Sequence, residues 1–446
     1  MQTVILGAGV SGLTAAYGLS RISGETYSIY EQQARSGGYC QSQRVDGFTY
    51  DTVSHVLHFR TKEAEDLVRE LLGEDLFQSK RSAWIYFRGR YIPYPFQTHL
   101  GSLPLSERAS CLTGYWQAWL NRRRNGHSEP KNFEEWVRLY LGNGIARHFM
   151  FPYNTKLWGK APAELSVDWL RPFVPRTTWQ EVMSNLLTKS VSEVGYNAFF
   201  YYPKVGGIQA LVDRLEARIA PVRVNHQAVE VNLDRKAVRF QNGQEERYDS
   251  LISTIPLKVL ALRSTGLPDD IRREARELHS TSLLSLIYCV RHPLPHSFHW
   301  LYFPEPQYPF FRIVFPSNIC PSLSPENTSV ISVEISQPDK ARLDDLEAAT
   351  RKHLIELGFL RDEADICYAA RHYFDHAYPV HDLDRQACVS HLVEFFKSRD
   401  VWTIGRFGAW RYSSIDDAIA EALCAAQEAV AAGARRLTRA AGAGAD

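Results

Sequence analysis

The sequence predicts an α/β fold: a Rossmann-type cofactor-binding domain assembled from discontinuous segments, a helical insert, and a mixed β-sheet substrate domain. Three observations predict it. The chain opens on a strand pattern that runs into a glycine turn and then a helix, TVILGAGVSGLTAAYGLSR. Between Leu105 and Arg147 apolar residues recur at helical spacing, which reads as a helical insert. At 446 residues the chain also exceeds the ~250–300 residues at which single cores stop growing, so interleaved units are expected.

The glycines of the first turn are Gly7, Gly9 and Gly12, a GxGxxG placed between strand and helix. The first allows a tight turn, the second lets the backbone approach a pyrophosphate, and the third lets the helix pack close on the strand. The helix N-terminus then offers unpaired N–H groups to phosphate oxygens. The second strand, YSIYE, ends at Glu31, near the ~20-residue distance expected of a ribose-binding carboxylate. After it comes EQQARSGGYCQS, with Gly37 and Gly38 in a polar loop. This pair resembles the second glycine motif of FAD enzymes of the amine-oxidase and protoporphyrinogen-oxidase class, which implies FAD as the cofactor. Val224–Val231 and Leu251–Pro256 (LISTIP) resemble that class's return strands to the cofactor domain, LISTIP the one near the adenosine end, and the resemblance implies that Val229 lines the adenine. The expected cofactor domain comprises residues 1–90, 205–262 and 396–446. A mainly helical insert is expected over 91–204, and a mixed-sheet substrate domain over 263–395.

FTYDTVSHVLHF, Phe48–Phe59, is strand-like and holds His55. A lone histidine among apolar residues is usually a core residue; its place soon after the double glycine is what makes it a candidate to face the cofactor. From Leu105 to Arg147 apolar residues recur at three- and four-residue spacing, with NRRRNGHSEP as a solvated break. Around this insert lie aromatic-polar clusters: YIPYPFQ, FMFPYNTKLWG, GYNAFFYYPKVGG, HWLYFPEPQYPFFR and HAYPV. Aromatics are usually core, but Tyr, Asn, Gln and Trp repeated in loops suit a base and sugar pocket.

The ordered set YPFQ, FPYNTKLW, the Asn of GYNAFF, Trp300–Tyr302–Arg312, the Tyr of AYPV, and GRFGAWRY resembles the UDP-galactopyranose mutases, the eukaryotic type especially, over nearly the whole chain. The resemblance implies that Gln97, Asn154 and Trp158 hold the uridine end with Tyr94 close by. It implies that Tyr302, Arg312, Tyr378, Arg406 and Tyr412 hold the diphosphate, with Asn197 near the sugar. His55, Arg312 and Arg406 become the catalytic candidates, and Ser54, His55 and Asp416 lie at the flavin. The implied reaction interconverts pyranose and furanose forms of a nucleoside-diphosphate sugar, with N5 of reduced FAD attacking the anomeric carbon; NAD(P)H is a possible external reductant. Arg411 is expected to be structural or peripheral.

Three positions depart from that family. Val53-Ser54 stands where the mutases have Gly-Gly before the histidine, and serine resists positive φ. Arg171 and Arg176 lie near Trp169, but neither has the spacing of the mutases' active-site arginine. Ser413-Ser414-Ile415 replaces a Gly-Asn-Gln before Asp416. All three lie at the flavin or sugar end. They keep open a different nucleotide sugar, or an FAD-dependent oxidoreductase of the amine oxidase or protoporphyrinogen oxidase type, as the alternative.

Composition narrows the partners. With 51 basic against 50 acidic residues the formal net charge is +1, so no bulk field recruits nucleic acid or anionic lipid, and any anion site must be local. The seven cysteines show no CxxC or CxxxH spacing; no metal site is expected, and reduced thiols in a cytoplasmic protein are. The chain begins directly on a strand pattern, so no secretory signal is expected, and no apolar run is long enough to span a bilayer.

Overall fold

The computed structural model describes residues 2–125, 129–170, 178–182 and 198–443. Four strands, Val401–Thr403, Ser250–Ser253, Gln2–Leu6 and Thr26–Tyr30, lie side by side in that order and all run parallel. They come from three distant parts of the chain. Val4, Ile5, Leu251 and Ile252 are wholly buried, as the near-continuous apolar runs of a parallel sheet covered on both faces require. The helix Val10–Ser20 packs against the long C-terminal helix Ile415–Ala443, closing one face. Arg223 extends the sheet beyond Tyr30 by a bridge, its N–H donating to Ile29 O at 2.9 Å.

A second, four-stranded sheet orders Glu245–Arg247, Ala237–Phe240, Ala228–Asn232 and Ser264–Thr265. Its register passes from Arg239 opposite Glu230 to Phe240 opposite Ala228, which leaves Val229 as the extra residue of a β-bulge.

The substrate side is a seven-stranded mixed sheet. It orders Ile366–Pro379, Ser280–Val290, Ser329–Ser336, Arg312–Val314, Trp300–Tyr302, Ala83–Phe87 and Arg90–Pro93. Its one parallel pairing joins Trp300–Tyr302 to Ala83–Phe87. The hairpin 83–93 therefore straddles residue 90, the expected edge of the cofactor domain, and belongs to this sheet. Side chains alternate across the sheet. Leu284, Leu286, Ile313, Val333 and Ile335 form the core on one face. Arg312, Glu334, Ser285 and His372 fall in one cross-strand row on the other.

The insert is helical over Leu105–Asn125, Phe133–Tyr140 and Phe151–Trp158. Asn132 caps the second helix, its side-chain oxygen accepting from Glu135 N–H at 2.9 Å. The insert returns through Phe199–Pro203, which pairs antiparallel with Leu76–Lys80. Among the described residues no helix is long and apolar enough to cross a membrane, and no group of three or more His, Cys, Asp or Glu is placed to hold a metal ion.

Candidate functional site: two cavities that meet at His55

The larger cavity, about 380 Å³, runs from Tyr30, Glu31, His226 and Ala228 past Gly7, Gly9, Gly37 and Gly38 to His55, Arg406, Ser414 and Ile415. Gly7 adopts φ +94°, and a Cβ there would fall 2.2 Å from Thr254 Oγ1, so no other residue fits the turn. At Gly9 the opposite holds. A Cβ would meet no protein atom closer than 3.9 Å, so the space a side chain would fill belongs to the cleft. Gly12 packs under the Gly7 carbonyl. Gly9 also opens the helix Val10–Ser20 and bridges Gly37, whose N–H donates to Ala8 O at 2.8 Å.

Glu31 is 6% exposed, and both its oxygens are braced: Oε2 accepts from Ala8 N–H at 2.8 Å and Oε1 from Gln33 N–H at 2.9 Å. A fixed carboxylate beside a side-chain-free glycine turn and a helix start is the donor–acceptor set a dinucleotide needs. These residues fit FAD. Ala228 and His226 line the far end of the cavity, whereas Val229, at the bulge, does not.

The smaller cavity, about 140 Å³, shares Tyr39, His55, Phe374, Arg406, Ser414 and Ile415 with the larger one. Its further walls include Val53, Ser54, Arg312, Tyr378 and Tyr412. His55 Nδ1 lies 3.1 Å from Val53 O, and a carbonyl only accepts, so Nδ1 carries the proton and Nε2 is left as an acceptor. Burial, then the charges of Arg406 and Arg312, push its pKa down to about 3, so the ring is neutral. Val53 and Ser54 both keep negative φ.

The two arginines are held differently. Arg312 lies directly opposite Glu334 and donates to Glu334 Oε2 through Nε at 3.0 Å and through Nη2. Burial disfavours its charge, but Glu334, with Tyr378, Tyr302 and Tyr153, holds its pKa well above the ordinary value. Arg406 donates through Nε and Nη2 to Ser413 O at 3.0 and 2.6 Å, and its guanidinium sits 5.5 Å from the ring centres of both Tyr378 and Tyr412. Arg411 lines neither cavity; it pairs with Glu421 at 3.2 Å.

The residues expected at the uridine end line neither cavity, and the two aromatic ones pack against other rings. Tyr94 lies 5.4 Å from Tyr302, and Trp158 lies 6.0 and 6.1 Å from Tyr378 and Tyr412. Gln97 and Trp158 are 2% and 1% exposed, and Asn154 Nδ2 donates to Met150 O at 2.7 Å. Asn197, Arg171 and Arg176 lie outside the described residues.

Asp416, expected at the flavin, lines neither cavity. It is 2% exposed and pairs with Arg60, which donates to it from its backbone N–H and from Nε, both at 3.2 Å. Its neighbours Ser414, Ile415 and Ala418 line the cleft instead. Arg60, in HFRTK, was missed by sequence reasoning, as was Arg81, which donates to Tyr302 Oη at 3.0 Å and lies 5.0 and 5.5 Å from the Tyr94 and Trp300 rings. Glu334 was missed too, although a single charge inside the apolar strand SVISVEIS was a readable signal.

A family model described as flavin containing amine oxidoreductase matches residues 10–379. The crystal structure of a reduced UDP-galactopyranose mutase superposes with a TM-score of 0.90 at 27% identity, covering 96% of this chain and 95% of that one. A putative protoporphyrinogen oxidase from Exiguobacterium sp. 255-15 shares the fold, with a TM-score of 0.75 at 17% identity over 96% of this chain and 98% of the other. The coproporphyrinogen III oxidase of Mycobacterium tuberculosis is 26% identical over 297 residues, 62% of this chain and 64% of that protein. A probable UDP-galactopyranose mutase of Klebsiella pneumoniae is 21% identical over 258 residues, 57% of this chain and 60% of the other. The chain thus matches less than two thirds of the length of either curated relative. With a family match over most of its length and a glycine cleft that fits FAD, the chain belongs to the flavin-containing amine oxidoreductase family.

Proposed function

We propose that this protein is a flavin-dependent mutase that interconverts pyranose and furanose forms of a nucleoside-diphosphate sugar, acting with reduced FAD. The observation that carries the reading is the convergence of Arg312 and Arg406 on the smaller cavity, which opens into the FAD cleft at His55. FAD, when bound and reduced, supplies a nucleophilic nitrogen for the anomeric carbon. The departing diphosphate then needs positive charge fixed in advance, and guanidinium forks match phosphate oxygens geometrically. Tyr378 and Tyr412 stack around Arg406 and leave it few alternative poses. Neutral His55 offers a hydrogen-bond acceptor beside the two cations without adding a third charge. Positioning and electrostatics are the protein's whole task in this chemistry, and no side chain serves as nucleophile.

The likeness to UDP-galactopyranose mutase supports a uridine nucleotide, and the ordered motifs of the sequence make the eukaryotic type part of the proposal. The same proposal includes a reductant such as NAD(P)H and a cytoplasmic setting. The test is to reduce the protein with dithionite and incubate it with UDP-, TDP- and GDP-sugars. New furanose products without net oxidation are expected. Their absence, together with substrate-dependent oxygen consumption by the oxidised protein, overturns the reading.

A second reading, an FAD-dependent oxidoreductase, is favoured by one local feature. Val53 and Ser54 hold negative φ where the mutases carry a glycine pair, and an oxidase of porphyrinogen type is among the curated relatives. The oxygen measurement separates the two.

A further inference from the structure

The turn that presents Arg406 and Tyr412 is unusual in its backbone. Trp410, wholly buried, sits at φ +49°, a conformation that bulky residues rarely adopt unless neighbours enforce it. Two side chains from the segment after Tyr378 hold it. Arg385 donates through Nε to Trp410 O at 2.9 Å and again through Nη2. His381 Nε2 accepts the Tyr412 N–H at 3.2 Å. A ring nitrogen that accepts carries no proton, so the proton is on Nδ1, which lies 3.3 Å from Asp168 Oδ2. Arg385 Nη1 reaches the same Asp168 oxygen at 3.4 Å. One carboxylate from the insert therefore orients both groups that grip the turn on either side of Arg411.

We propose that Asp168 and His381 are positioning residues for the diphosphate-binding turn: Asp168 fixes the His381 tautomer, and His381 in turn fixes the Tyr412 amide beside Arg406. This rests on the nucleotide-sugar reading only for what the turn binds. The turn's own geometry is independent of it. Inside the turn, Arg411 N–H donates to Arg406 O at 3.0 Å and the Arg406 guanidinium closes on Ser413 O. A shift of the Tyr412 amide is thus transmitted to the guanidinium. Ser166 N–H also donates to His381 O at 2.7 Å, so the insert grips this residue by backbone as well as by side chain.

His381→Gln and His381→Asn separate positioning from bulk. A glutamine amide oxygen reaches the place of Nε2 and can accept from Tyr412 N–H; an asparagine reaches only the place of Nδ1. In the flavin-loaded protein, amide exchange of the 405–414 peptide should speed up in His381→Asn and Asp168→Asn and stay parental in His381→Gln. UDP affinity measured by calorimetry should fall roughly three- to tenfold in the first two, as for the loss of one hydrogen bond, and stay within about twofold in the third. Parental exchange in His381→Asn, or equal disturbance by Gln and Asn, overturns the proposal. An exchange split in a protein whose parent binds no UDP sustains the positioning role and removes the nucleotide reading.

Discussion

Arg312 and Glu334 face each other directly across two antiparallel strands, and the glutamate has no exposed surface at all. Taking a carboxylate wholly out of water is costly, and the guanidinium beside it offsets that cost. The pair therefore presets Arg312 at the smaller cavity before any ligand arrives. Glu334→Gln should lower unfolding stability by about 3 kcal/mol, because it leaves a buried cation unpaired. Saturating UDP should restore part of that loss, since the diphosphate would supply the missing negative charge. Urea titrations with and without UDP check both parts; an unchanged midpoint would show that the pair does not order the arginine.

Arg406→Ala and Arg312→Ala should each weaken UDP binding by about 1.5–3 kcal/mol, the worth of a charge-assisted contact. Arg411→Ala should do much less, because Arg411 is spoken for by Glu421 and lines neither cavity. FAD content should change less than UDP affinity in all three, since the glycine turn lies at a different part of the cleft. Equal UDP affinity in Arg406→Ala and the parent would move weight to the oxidoreductase reading.

What could be read in advance follows sequence distance. The strand, glycine turn and helix of Gln2–Ser20, and Glu31 at the end of the next strand, are local patterns whose spacing carries its own physical meaning. The place of Asp416 was not readable, because its partner Arg60 lies 356 positions away and nothing in either segment announces the other. The hairpin 83–93 escaped for the same reason: only its parallel pairing with Trp300–Tyr302 assigns it to the substrate sheet. Val229 turned on a single bulge, since one extra residue shifts which side chains face the cleft.

Glu31→Ala should weaken FAD retention by about 1–3 kcal/mol, as for a lost hydrogen bond to a charged group. The structure adds a second cost. The same carboxylate accepts from Ala8 and Gln33, so its removal also frees the two loops that form the cleft's rim. Glu31→Gln, which keeps one acceptor oxygen, should retain more FAD than Glu31→Ala. Flavin released on dilution, followed by fluorescence, checks the order; equal retention in all three proteins would remove Glu31 from the cofactor site.

Two buried groups give the protein opposing pH dependences. His299 is buried, its Nδ1 accepts from Ser82 N–H at 3.2 Å, and burial and then Arg81 push its pKa down to about 4. The unfolded chain, with a histidine near ~6.5, therefore binds more protons than the folded one between those values. The stability this supplies is present above ~6.5 and is lost as pH falls, at ~1.4 kcal/mol per unit. Asp51 runs the other way. Burial raises its pKa to about 6 against the hydrogen bonds from Ser42, Tyr202 and Ile208, so the folded state binds the extra proton. Its contribution is present below the unfolded value of ~3.9 and is lost as pH rises through about 6. His299→Gln should therefore lose less stability than the parent between pH 6.5 and about 4.5, and Asp51→Asn should lose more over the lower part of that range. Denaturant midpoints of the flavin-loaded proteins, taken at half-unit steps of pH, give both slopes; parallel curves for all three would mean that neither group titrates as its burial dictates.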